Sequence, residues 1–112
     1  LPALPAAPHP PAAGITVVIP EGNHAPGCED EGRCYCPPSL EVAPGSTVTW
    51  LNADRVAHTV TSGSLTGGGP DWAFDSGLFL SGAAFTHTFG EAGEFPYYCV
   101  VHPWMIGVVT VR

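Results

Sequence analysis

The sequence contains no lysine, and its only cationic side chains apart from histidine are Arg33, Arg55 and Arg112. Against 10 acidic side chains this leaves a formal charge of −7 at neutral pH, a balance that argues against nucleic acid and against an anionic bilayer surface as partners. A basic or neutral protein partner is the easier physical match. Also missing is any apolar run of about eighteen residues, the length a membrane span needs, since every candidate is broken by Gly or Pro. The 112 residues suffice for one domain with a real core and are too few for a second. The sequence has no His-x-His pair either.

What is abundant is glycine, at 14 residues, and proline, at 13. A helical protein of this size would not tolerate so many breakers. Short runs of Val, Phe, Leu and Trp lie between them, and the combination predicts an all-β sandwich with Gly/Pro turns. Residues 1–13, LPALPAAPHPPAA, read as a Pro/Ala tether that prefers extended, polyproline-like conformations and has little to bury. His9 within it reads as an incidental solvated residue. Such a start resembles the segment just downstream of a removed signal or a lipid anchor, so the expected setting is periplasmic or extracellular, with the tether able to join a membrane anchor. The four cysteines suit oxidising surroundings of that kind.

From Gly14 to Pro20 the chain reads as a first strand, and residues 21–39 as a long acidic inserted loop carrying His24, Cys28, Cys34 and Cys36. Two readings of that loop stand side by side. In one, a disulfide joins Cys28 to Cys34 or Cys36 and the third thiol is buried or capped; Cys34 and Cys36 are too close in sequence to pair well with each other. In the other, His24 and three thiolates form a second metal site for zinc or Cu(I), although the spacing lacks the usual C-x2-C knuckles.

Leu40 to Val42 is a short strand, Ala43-Pro44-Gly45-Ser46 a turn, and Thr47 to Asn52 a strand with Val48 and Trp50 on one face. Trp50 is expected in the core. His58 to Ser62 reads as the next strand, Gly63 to Asp71 as a flexible connector, and Trp72 to Leu80 as apolar cover. Trp72 and Phe74 there read as core or edge cover, with an exposed docking patch as the alternative. Phe85, His87 and Phe89 alternate with threonines, which makes His87 a partly buried histidine among aromatics. Residues 91–94 turn the chain into a strand ending at Cys99.

The chemistry concentrates in the last part, Cys99-Val100-Val101-His102-Pro103-Trp104-Met105. A thiolate, an imidazole and a thioether fall on a short connection between two strands, and a soft donor set of that kind selects copper over magnesium, calcium or manganese. His58, inside Val56-Ala57-His58-Thr59-Val60, can close the site from a separate strand end. Pro103 restricts His102 toward extended angles and stiffens the connection.

This C-x2-H-x2-M run, with a distant His after the Val48-Thr49-Trp50-Leu51-Asn52 strand, resembles the blue-copper cupredoxins of the plastocyanin and amicyanin type. The likeness covers roughly residues 40–112, with a looser match over 14–20. It implies a Greek-key β-sandwich of about eight strands over 14–112 and a single type 1 copper held by His58, Cys99 and His102, with Met105 as a weak axial ligand. It further implies one-electron transfer to and from redox proteins, with the electron passing through His102 inside an apolar rim of Pro103 and Trp104. Asn52 matches a position that, in those proteins, bonds to the backbone of the ligand loop beside the copper cysteine. A closed ligand set leaves no position for substrate, which argues against an enzyme. The competing ideas are a severed copper domain of a multidomain oxidase or nitrite reductase, which the missing His-x-His pairs disfavour, and a copper store or chaperone, which the cysteine loop keeps in view.

Overall fold

Alternation of apolar and polar residues decides which face of each strand is buried. The computed structural model describes residues 15–22, 24–28 and 33–112; the Pro/Ala segment and His9 lie outside them. The strands are β1 (Thr16–Ile19), β2 (Ser39–Val42), β3 (Ser46–Asn52), β4 (Thr61–Ser64), β5 (Gly69–Asp75), β6 (Ala84–Phe89), β7 (Gly93–Cys99) and β8 (His102–Val111). They form a sandwich of a three-stranded sheet, β1-β3-β6, and a five-stranded sheet, β2-β8-β7-β4-β5. The all-β Greek-key architecture expected from the sequence is the one found.

Between the sheets, Val17, Ile19, Val48, Trp50 and Phe89 of the first meet Val42, Phe74, Tyr97, Val109 and Val111 of the second. Trp50 is fully buried, with Phe74 at 6.1 Å, Phe89 at 6.3 Å and the edge-on ring of Tyr97 at 5.4 Å. Burying an indole removes about 200 Å² from water, an upper limit of about 5 kcal/mol. Tyr97 lies across the β7–β8 pair from Gly107, and a Cβ at that position would collide with its ring. That glycine makes room for the aromatic that Trp50 leans on.

Two pairings position the site. β1 runs parallel to β3, with Ile19 beside Asn52, so the segments that follow these strands emerge at the same end of the sandwich. β7 and β8 are antiparallel, and only Val100 and Val101 separate Cys99 from His102. The ligand connection is thus tighter than a loop, because Met105 already lies within β8.

Three expectations need correction. Gly63 to Asp71 is not a flexible connector: β4 and β5 pair antiparallel, and Gly63, at φ 118° with no space for a Cβ against the Gly69 carbonyl, lets the hairpin close. His58 lies before β4 and pairs in an isolated bridge with Phe79. Trp72 and Phe74 part company, Phe74 being buried while Trp72 is 68% exposed on the edge strand at φ 63°. His87 is half-buried between Phe74, at 4.8 Å, and Phe89, at 4.7 Å, and burial holds its pKa below the ordinary imidazole value.

Candidate metal centre

At the end of the sandwich where β1, β3 and β7 finish, His58, Cys99 and His102 bring one ligand atom each within 4.8 Å of one another. His58 Nδ1 is 3.7 Å and His102 Nδ1 3.5 Å from Cys99 Sγ. A metal ion about 2.0 Å from nitrogen and about 2.3 Å from sulfur, with an angle of about 120° between them, sets nitrogen and sulfur about 3.7 Å apart. Both sulfur–nitrogen separations therefore suit a shared metal ion, and all three ligand atoms lie within 4.8 Å of one another. A thiolate with two imidazoles is a set copper favours.

Burial works against a charged sulfur at Cys99, but His58 and the backbone N–H groups of Thr59, Val101 and His102 point at it and hold the thiol below its ordinary pKa. The Thr59 N–H lies 3.4 Å from the sulfur. His102 is pushed down by burial and by the neighbouring imidazoles of His58 and His24, which favours the neutral, metal-ready form. His58 is fully buried, and its N–H and C=O pair with Phe79 at 3.1 and 2.9 Å.

His58 Nε2 is 2.8 Å from Asp54 Oδ2. A carboxylate only accepts, so Nε2 carries a proton. In the metal-free site Nδ1 faces the Cys99 sulfur as a donor. Although burial works against it, the hydrogen bonds to Cys99 and Asp54 hold the His58 pKa above its ordinary value, so a metal ion would take the place of the Nδ1 proton. Asp54 is itself buried, and its Oδ1 accepts the N–H of Gly22 at 2.9 Å and of Arg55 at 2.7 Å. Burial alone would raise its pKa. The hydrogen bonds from Gly22, His58, Arg55 and His24 outweigh that and lower it to about 2.

Asn52 does not bond to the ligand loop as the resemblance implied. Its Nδ2 donates to the carbonyls of Val56, at 2.9 Å, and Phe79, at 3.1 Å, and its Oδ1 accepts the Asp54 N–H. It therefore fixes the segment carrying His58. The residue that reaches across to the ligand loop is Thr59, whose Oγ1 accepts the Val100 N–H at 2.9 Å. Neither Asp54 nor Thr59 stood out in the sequence. The only signal was adjacency to His58, an acid four residues before it and a hydroxyl just after.

The inserted loop holds a Cys28–Cys34 disulfide, and Cys36 is a half-exposed free thiol whose sulfur lies 3.6 Å from the Arg33 carbonyl. This excludes the second metal site built from His24 and three thiolates, because two of the sulfurs are bonded to each other. His24 sits elsewhere, its Nδ1 3.0 Å from Asp54 Oδ2. Among the described residues, His58, Cys99 and His102 form the only such cluster.

Val100 and Val101 are exposed, while His102, Pro103 and Trp104 are half-buried. The Trp104 indole lies 5.6 Å from the His102 ring. Met105 is wholly buried. No helix among the described residues is long and apolar enough to cross a membrane.

Comparison with known proteins agrees with this geometry. Residues 24–112 match the model for copper binding proteins of the plastocyanin/azurin family. The chain is 36% identical over 80 residues to amicyanin of Paracoccus denitrificans, covering 70% of this chain and 58% of that protein, and 31% identical over 75 residues to amicyanin-alpha of Methylorubrum extorquens. The matched region thus spans less than two thirds of these relatives' length. Among solved structures, a purple cupredoxin from Nitrosopumilus maritimus superposes with a TM-score of 0.78 at 38% identity, covering 88% of this chain and 99% of that one. A Cu(I) amicyanin variant gives a TM-score of 0.65 at 32% identity over 88% of this chain and 81% of that one. Sandwich, ligand cluster and sequence match lead to one conclusion: this chain belongs to the plastocyanin/azurin family of copper binding proteins.

Proposed function

We propose that this protein is a single-electron carrier built on one mononuclear copper site, and not an enzyme. The observation that carries the reading is the convergence of His58 Nδ1, Cys99 Sγ and His102 Nδ1 within 4.8 Å. When bound there, copper supplies a one-electron Cu(I)/Cu(II) couple. The chain's own contribution is rigidity. Asp54 fixes the His58 tautomer, Thr59 ties down the Val100 amide, and backbone N–H groups already favour the thiolate, so little has to move when the charge changes.

Met105 would be the fourth, weak ligand in this reading. Its support is complete burial and its place in β8 three residues after His102. The docking and electron-exit surface is the end of the molecule around His102, Pro103 and Trp104, joined by the exposed Val100 and Val101. Weak electron-transfer encounters use small interfaces, below about 1,200 Å², and a small apolar rim suits them. The donor and acceptor are redox proteins, at least one of them basic, steered by the −7 charge of the chain. A periplasmic or extracellular setting agrees with the Cys28–Cys34 disulfide, and the Pro/Ala segment would serve as a tether toward a membrane.

Voltammetry of the copper-loaded chain tests the function. The expected result is a reversible one-electron wave; sustained turnover of oxygen or nitrite would instead make it an enzyme.

A further inference from the structure

The inserted loop is fastened to the metal end of the sandwich at several points. Because β1 and β3 are parallel, the chain leaving Ile19 runs beside the segment leaving Asn52, and Gly22 and His24 both reach Asp54. The His24 carbonyl accepts the Trp104 indole N–H at 3.0 Å. The disulfide sulfur of Cys34 lies 3.9 Å from the Trp104 carbonyl oxygen, a contact without a proton. The His24 ring itself is 5.7 Å from that of His102 and 6.5 Å from that of His58, with its side chain 39% exposed.

The consequence lies in one oxygen atom. Asp54 Oδ2 is shared by His58 Nε2 at 2.8 Å and His24 Nδ1 at 3.0 Å. Since the carboxylate only accepts, both nitrogens donate to it. We infer that His24 is a positioning residue of the copper centre, acting through Asp54 to set the donor strength and orientation of His58. The inference rests on the copper-carrier reading.

The sign follows from the shared acceptor. While His24 donates, part of the Oδ2 charge is spent on it. Without that donor, the whole oxygen pulls on the His58 Nε2 proton and electron density moves to Nδ1. A more basic His58 favours Cu(II) over Cu(I), so the reduction potential falls. Hydrogen bonds to the outer nitrogen of a metal-bound imidazole have this effect generally, and here an imidazole from an insertion moderates one of them.

The test compares His24→Phe with His24→Asn in the copper-loaded full chain, recording copper content, visible absorption and reduction potential together. Phenylalanine keeps a ring against His102 but has no N–H, whereas asparagine offers an N–H on the same Cγ without the ring. The expected result is a potential lowered in His24→Phe and close to the parent in His24→Asn, with copper retained in both. Equal potentials in His24→Phe and the parent, or a loss in His24→Asn with none in His24→Phe, would overturn the inference and leave the carrier reading intact. A parent chain that takes up no copper would overturn both.

Discussion

Replacing Thr59 by valine would remove one hydroxyl and almost no volume. Thr59 is buried, and its Oγ1 accepts the Val100 N–H at 2.9 Å and lies 3.0 Å from Thr61 Oγ1. Thr61 Oγ1 is also 2.8 Å from Asp75 Oδ1. Thr61 is the donor in both contacts and has a single hydroxyl proton, which serves one acceptor at a time. Thr61 thus stands between Thr59 at the ligand connection and Asp75 at the end of β5. Valine keeps the backbone bonds of residue 59, the Cys99 sulfur contact and the Tyr35 hydroxyl at 2.7 Å, but leaves the Val100 N–H without its partner. Val100 is an exposed residue and this hydrogen bond is only partly buried, so its loss costs about 1 kcal/mol, the ordinary net worth of a hydrogen bond. We expect Thr59→Val to destabilise the metal-free chain by about 1 kcal/mol, moving the urea midpoint down by about 0.5 M with no change in slope. Hydrogen exchange at the Val100 amide should quicken. Thr59→Ser, which keeps the oxygen and loses one methyl group, should cost about 1 kcal/mol and leave that amide protected. A Thr59→Val chain within about 0.5 kcal/mol of the parent, with Val100 still protected, would refute the reasoning.

Other predictions concern the axial position, the insertion and pH. Met105→Gln should retain copper and lower the reduction potential, because an oxygen donor favours Cu(II); an unchanged potential would count against axial ligation. Removing the disulfide as Cys28→Ser with Cys34→Ser frees a loop with a sequence separation of 6, and closure entropy puts the loss at about 2 kcal/mol, measurable by thermal unfolding. The stability of the metal-free chain should also decline in acid. Asp54 titrates at about 2 in the fold against 3.8 ordinarily, so its contribution, about 2 kcal/mol, is fully present above pH 4 to 5 and is lost as pH falls toward 2. The Asp54→Asn chain should show a correspondingly shallower acid loss in pH-dependent denaturation.

The ligands were legible because they are chemically rare and locally spaced. Cys99, His102 and Met105 fall within one short stretch, and the alternation in β3 placed Trp50 and Val48 inside. What the sequence hid depends on pairing between distant segments. His24 meets Asp54 only because β1 and β3 run in parallel and end together, which no local pattern reports. The β4–β5 hairpin was masked by its glycines, which look like a linker but at Gly63 supply a backbone angle the hairpin requires. Asn52 was read by likeness to a position whose partner differs here. Its hydrogen bonds go to Val56 and Phe79, while Thr59 supplies the contact to the ligand connection.

Reconstitution of the full chain with Cu(II), followed by metal analysis and by visible and paramagnetic resonance spectra, tests the central claim most directly. The expected result is one type 1 copper per chain with an intense thiolate-to-copper absorption that Cys99→Ser abolishes. Two coppers per chain, or one without that absorption, would contradict it.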